Sequence, residues 1–128
     1  MILLLHTLIE AGVGGLLLFY AGAPALLPGF GNASGPSFDL LVKMYGLAAL
    51  LLAALSLIGY LRRGETSLYL FVTGTLAAFH FGMSAVQAWW NPDPRVMLLH
   101  FLLAIFLLGR YVVRRRSQWD TQEAMTNK

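Results

Sequence analysis

Four long apolar runs, separated by short polar or Pro/Gly-rich breaks, set the layout of this chain. They cover about residues 2–23, 40–61, 68–90 and 96–113, and at a helical rise of about 1.5 Å per residue each comes close to spanning a hydrocarbon layer. The third run, LYLFVTGTLAAFHFGMSAVQAWW from Leu68 to Trp90, departs from a plain apolar helix. Thr73, His80, Ser84 and Gln87 follow one another at steps of seven, four and three residues, which places them on one helical face. Lipid offers such groups no partners, and each unpaired polar group in hydrocarbon costs free energy. The stripe is therefore expected to look inward, at other helices or at something they hold.

The first run carries His6, Thr7 and Glu10, with His6 and Glu10 one turn apart on a shared face. Ala11 and Gly15 form a small-xxx-small pair suited to close helix contact. Ala21-Gly22-Ala23 resembles a signal-peptide cleavage site, but the run is long, lacks a basic flank and meets Pro24, so it reads as a retained first span. From Pro24 to Ser37 the prolines and glycines predict a loop, with Ser37 or Asp39 capping the next helix. On the second run Gly46, Ala49, Ala53 and Ser56 make a smooth face, read as packing rather than chemistry. Lys43 is expected to pair with Asp39 one turn away or to snorkel outward. Arg62-Arg63-Gly64-Glu65-Thr66 reads as a tight hairpin, Trp89-Trp90 as an interfacial anchor, and Asn91-Pro92-Asp93-Pro94 as a turn. His100 opens the fourth run. Residues 114–128 form a basic and polar tail, either a frayed helical extension or disordered. The fold class that follows is all-α: a transmembrane four-helix up-down bundle.

Composition sharpens this picture. Of 128 residues 58% are hydrophobic and only 12% charged, against about a quarter charged in ordinary soluble domains. The net charge of +3 gathers at Arg62-Arg63 and Arg114-Arg115-Arg116, directly beside apolar spans. Anionic lipid headgroups of the bilayer are the partners this implies, not nucleic acid. Arg62, Arg63, Arg114, Arg115 and Arg116 lie on one side of the predicted topology, against only Lys43 and Arg95 on the other, which puts both termini and the tail in the cytoplasm. The absence of cysteine removes disulfides, thiolate metal sites and thiol redox chemistry.

Helical rise also sets depth. His80 and His100 each fall roughly 20 Å from the basic side on adjacent antiparallel helices, Glu10 roughly 10–14 Å in, and His6 one turn shallower. An intramembrane carboxyl must find hydrogen-bond partners. Glu10 with His6 is either a proton-exchanging pair or a neutral register pin bonded to His6, Tyr45 or a backbone carbonyl. His80 and His100 admit three readings: a His80–Ser84–Gln87 network satisfied by the fourth helix, a bis-imidazole site for haem or a metal, or a pocket donating to the carbonyl of a quinone-like ligand. No zinc-protease helix, nucleophile elbow or phosphate-cradling loop is present, which argues against an enzyme acting by itself.

The glycine-rich first span, the Pro/Gly loop, Lys43-Met44-Tyr45-Gly46-Leu47, the Arg62-Arg63-Gly64 hairpin and the basic end at Arg114-Arg115-Arg116 together resemble the DoxX-like group of small bacterial four-helix membrane proteins. The resemblance covers about residues 1–116 and carries no catalytic motif. It implies a bacterial inner membrane and a setting beside oxidoreductase systems. The expectation is a small membrane binding or accessory subunit. Its polar patch of Glu10, His80, Ser84, Gln87 and His100 would serve a hydrophobic ligand (lipid or quinone) or a partner complex, with self-association as a further route. The alternatives are a proton-linked carrier or channel using His6 and Glu10, and a haem-bearing electron-transfer subunit using His80 and His100.

Overall fold

The structure, a computed structural model, describes residues 1–28, 30, 34–90 and 94–126, without the side chains of residues 121 and 122. In chain order the helices are α1 (Ile2–Phe19), the short α2 (Ala23–Leu26), α3 (Pro36–Leu61), α4 (Thr66–Trp90) and α5 (Pro94–Thr126), with no strand among the described residues. Four of the five are long and apolar enough to cross a membrane. Large apolar side chains such as Leu8, Phe19, Leu51, Phe71 and Phe106 face outward, as a bilayer solvent allows and water does not. This is the four-helix architecture of an integral membrane protein.

The bundle is built as two antiparallel pairs. α1 packs along α3 and α4 along α5, while α3 and α4 meet over a shorter length beside their hairpin. That hairpin closes on Arg62, whose guanidinium meets Glu65 at 2.7 Å. Both side chains are well exposed, so the pair adds little stability. On α3 the buried face runs Val42, Gly46, Ala49, Ala53, Ser56 and Gly59, the small face the spacing predicts. Its partner on α1 differs from expectation. Gly14 meets Gly46, whereas a Cβ on Gly15 would touch nothing within 4 Å, so the Ala11–Gly15 pair does not carry this crossing.

Several boundaries shift for local reasons. α1 ends at Phe19 rather than Ala23, and α2 forms a single turn within the expected loop. α3 starts at Pro36, not Leu40: Pro suits a first helical turn, and Gly35 at φ 113° supplies the left-handed step before it. Neither Ser37 nor Asp39 caps the helix through its side chain. The turn expected at Asn91–Pro92–Asp93 lies outside the described residues, as do residues 29 and 31–33 of the first loop. The tail continues α5 without a break to Thr126, a helix of roughly 50 Å where about 30 Å spans hydrocarbon. Arg115 lies near the rings of Tyr111 and Trp119, one turn below and above it, on this extension.

Lys43 neither pairs with Asp39 nor reaches outward. Its ammonium donates to the carbonyls of Leu17 (3.0 Å) and Leu18 (2.6 Å), closing the last turn of α1 from the neighbouring helix. Those carbonyls lack partners within α1, and the negative end of the helix dipole favours a cation there. Lys43→Met keeps the apolar stem and removes this cap. It is expected to lower stability by about 1.5–3 kcal/mol in mixed-micelle unfolding, with Lys43→Arg retaining most of it. Equal midpoints for Lys43→Met and the unaltered chain would count against the capping role.

A buried histidine chain between the two helix pairs

Each long helix contributes to one polar cluster where the two pairs meet. α1 supplies His6 and Glu10 one turn apart, α3 supplies Ser56, α4 supplies His80, and α5 supplies His100. All five are buried, and His6, Ser56 and His80 are completely so. The contacts form a line. Ser56 Oγ lies 2.6 Å from His6 Nδ1, His6 Nε2 lies 2.6 Å from His80 Nε2, and His80 Nδ1 lies 2.9 Å from His100 Nδ1. Glu10 Oε1 flanks the middle link at 3.6 Å from His6 Nε2 and 3.8 Å from His80 Nε2.

Two proton arrangements satisfy this chain. In one, Ser56 O–H donates to His6 Nδ1, His6 Nε2–H to His80 Nε2, and His80 Nδ1–H to His100 Nδ1. In the other, each ring bond runs in reverse, from His100 toward Ser56. Both leave every imidazole neutral, with each ring exchanging which nitrogen carries the proton. A line of groups that can be polarised either way is the arrangement along which a proton can be handed.

The positions of the expected site residues divide clearly. Glu10, His80 and His100 come together. His6, expected as a partner of Glu10 but outside the ligand patch, is a central member. It reaches His80 because α1 begins deeper than α4: Leu3 shares a core cluster with Tyr69, Val72 and Leu76 rather than lying level with Thr66. Ser56 belongs to the chain although its spacing reads as packing. Ser84 and Gln87 do not join. Ser84 Oγ donates instead to Met97 O on α5 at 3.2 Å, and Gln87 Oε1 is buried with no hydrogen-bond partner among the described residues. Thr73, the first member of the α4 stripe, bonds back to Tyr69 O at 2.8 Å.

The donor spacing also bears on cofactors. The His80 and His100 rings stack at 5.1 Å between centroids and 26° between planes, joined nitrogen to nitrogen. A porphyrin bound by both would have to lie between them, and they leave it no room. The bis-histidine haem expectation therefore does not fit this arrangement. His6 Nε2, Glu10 Oε1 and His80 Nε2 lie within 4.8 Å of one another. However, two nitrogens on one metal at about 2.0–2.1 Å stand roughly 2.9–3.3 Å apart. The 2.6 Å His6–His80 separation is that of a shared proton.

One route leads to the cluster from outside. A cleft of about 80 Å³ between α1, α3, α5 and the loop after α2 reaches Glu10, Tyr45 and His100, with Val13, Phe30 and Leu103 among its apolar walls. Phe30 meets the rings of Phe38 and Tyr45 edge-on at 6.3 and 5.9 Å, which holds its own ring over this end of the bundle. Against known proteins, no family model, no curated protein and no solved structure matches this chain.

Proposed function

We propose that this chain is a small membrane binding or accessory subunit that takes a hydrophobic molecule with a hydrogen-bonding head, a quinone or lipid, in the cleft. The observation that carries this reading is the cleft itself: apolar walls that end on a carboxyl, a phenol and an imidazole. Its volume is below the roughly 300–1,000 Å³ of a pocket that engulfs a whole small molecule. It therefore admits the carbonyl or hydroxyl edge of the head, and the rest of the molecule stays among the acyl chains. His100 and Glu10 meet a carbonyl or hydroxyl there, and the imidazole line behind His100 supplies or accepts protons. The DoxX-like resemblance of residues 1–116 agrees with a place beside an oxidoreductase, and the arginine distribution with cytoplasmic termini in a bacterial inner membrane.

The test uses decylubiquinone and the purified protein in detergent. His100→Ala and Glu10→Ala are expected to weaken binding about tenfold or more, the size of one or two lost hydrogen bonds. Val13→Phe fills the cleft without touching the imidazole line and is expected to block binding as well. Undiminished binding to Val13→Phe would place the ligand elsewhere.

The two equivalent proton arrangements favour a second reading, a proton-linked carrier. In vesicles loaded with a pH-sensitive dye, it predicts proton flux that falls at least tenfold in Glu10→Gln and in His80→Ala. Flux indifferent to both substitutions would remove it.

A further inference from the structure

A second cavity, of about 320 Å³, opens at the end of the bundle that carries the Arg62–Arg63 hairpin. Its wall brings together Arg63 from that hairpin and Arg110 and Arg114 from successive turns of α5, with Tyr60, Tyr69 and Leu3. Two of the arginines are held in place. Arg63 donates to Tyr60 O at 3.1 Å and lies 4.9 Å from the centre of the Tyr60 ring, and Arg114 donates to Thr66 Oγ1 at 3.0 Å. Arg110 has no hydrogen bond or ion pair among the described residues. None of the three has a carboxylate within salt-bridge distance among the described residues.

Three guanidiniums facing one cavity repel each other, and Arg63 and Arg110 are exposed at this end of the bundle, open to a partner from outside. Such a site favours an anion. Guanidiniums match phosphate oxygens in forked, two-bond geometry, and the tyrosines add phenolic groups beside them. The outward apolar side chains of α4 and α5, Phe71 and Phe106 among them, give acyl chains a surface on the same helices. We infer that this cavity binds the phosphate headgroup of an anionic phospholipid. Basic pockets between helices at this depth are where headgroups are met. This inference is independent of the ligand assigned to the cleft, which lies toward the opposite end of α1 and α3.

The test is thermal unfolding of the full chain in a neutral detergent, titrated with short-chain phosphatidylglycerol, short-chain phosphatidylcholine, or inorganic phosphate. Phosphatidylglycerol is expected to raise the midpoint saturably while phosphatidylcholine does not. Arg110→Gln is expected to weaken its apparent affinity about fivefold or more, and Arg110→Lys to retain most of it. Arg116→Gln, an arginine outside this cavity, is expected to leave it within twofold. Helicity measured alongside separates lost binding from lost folding, and a variant that does not fold is replaced in the comparison by Arg114→Gln. Equal stabilisation by inorganic phosphate would show a free-anion site and overturn the lipid assignment. Equal loss in Arg116→Gln, or no saturation, would reduce the effect to general attraction and overturn the site.

Discussion

His80→Leu is expected to be the most damaging substitution in the polar core. Both nitrogens of His80 are engaged, to His6 at 2.6 Å and to His100 at 2.9 Å, in the completely buried centre of the bundle. Removing the ring strands one acceptor or donor on each side, at about 1–3 kcal/mol per unsatisfied group. The expected loss is therefore about 2–6 kcal/mol, read as a shift in mixed-micelle unfolding, with the two helix pairs loosening first. Replacing the whole cluster with apolar residues (His6→Leu, Glu10→Leu, Ser56→Ala, His80→Leu and His100→Leu) leaves none of its members without a partner and is expected to recover much of that loss. Such recovery, together with loss of quinone binding or proton flux, would show that the cluster is kept for chemistry rather than for holding the fold. If His80→Leu unfolds at the unaltered midpoint, the hydrogen-bonded line does not exist in the membrane.

The helices and their antiparallel order are legible from the chain because the bilayer imposes one solvent and one length on each span. The 3.6-residue period also marks the buried face of α3 and the inward stripe of α4. What periodicity cannot supply is relative depth between helices that are not joined by a short hairpin. α1 is connected to α3 through a long loop, so its vertical offset is set by Leu3 packing near Val72 and Gly59, not by counting from an expected membrane edge. That offset brings His6 level with His80 and moves Ser56 from packing into chemistry. Gln87 fails for the opposite reason. It shares the helical face with His80, but it lies almost two turns farther along α4 and its buried amide oxygen meets no partner. Residues on one face share a direction, and only the neighbouring helices decide which of them share a site.

Gly14→Val is expected to separate α1 from α3 and to disable the cluster at a distance. A Cβ on Gly14 would stand 2.8 Å from Gly46 O, a backbone atom with no rotamer to yield, and 2.8 Å from Leu50 Cγ. Even Gly14→Ala should cost about 1–3 kcal/mol by overpacking, and the branched valine more. The strain reaches the site because His6 lies about two turns, roughly 12 Å, along the same helix. Tilting α1 away at Gly14 stretches the 2.6 Å His6–Ser56 bond, so ligand binding should weaken along with stability. Gly15→Ala is the matched control, since its added methyl meets nothing within 4 Å and gains helix propensity. The pair separates close crossing from glycine's general effect on a helix: Gly14→Ala should lower the unfolding midpoint while Gly15→Ala leaves it unchanged or raises it. Equal behaviour of the two alanine variants would mean that α1 and α3 do not cross at Gly14 and Gly46, and that His6 is brought to Ser56 by some other contact.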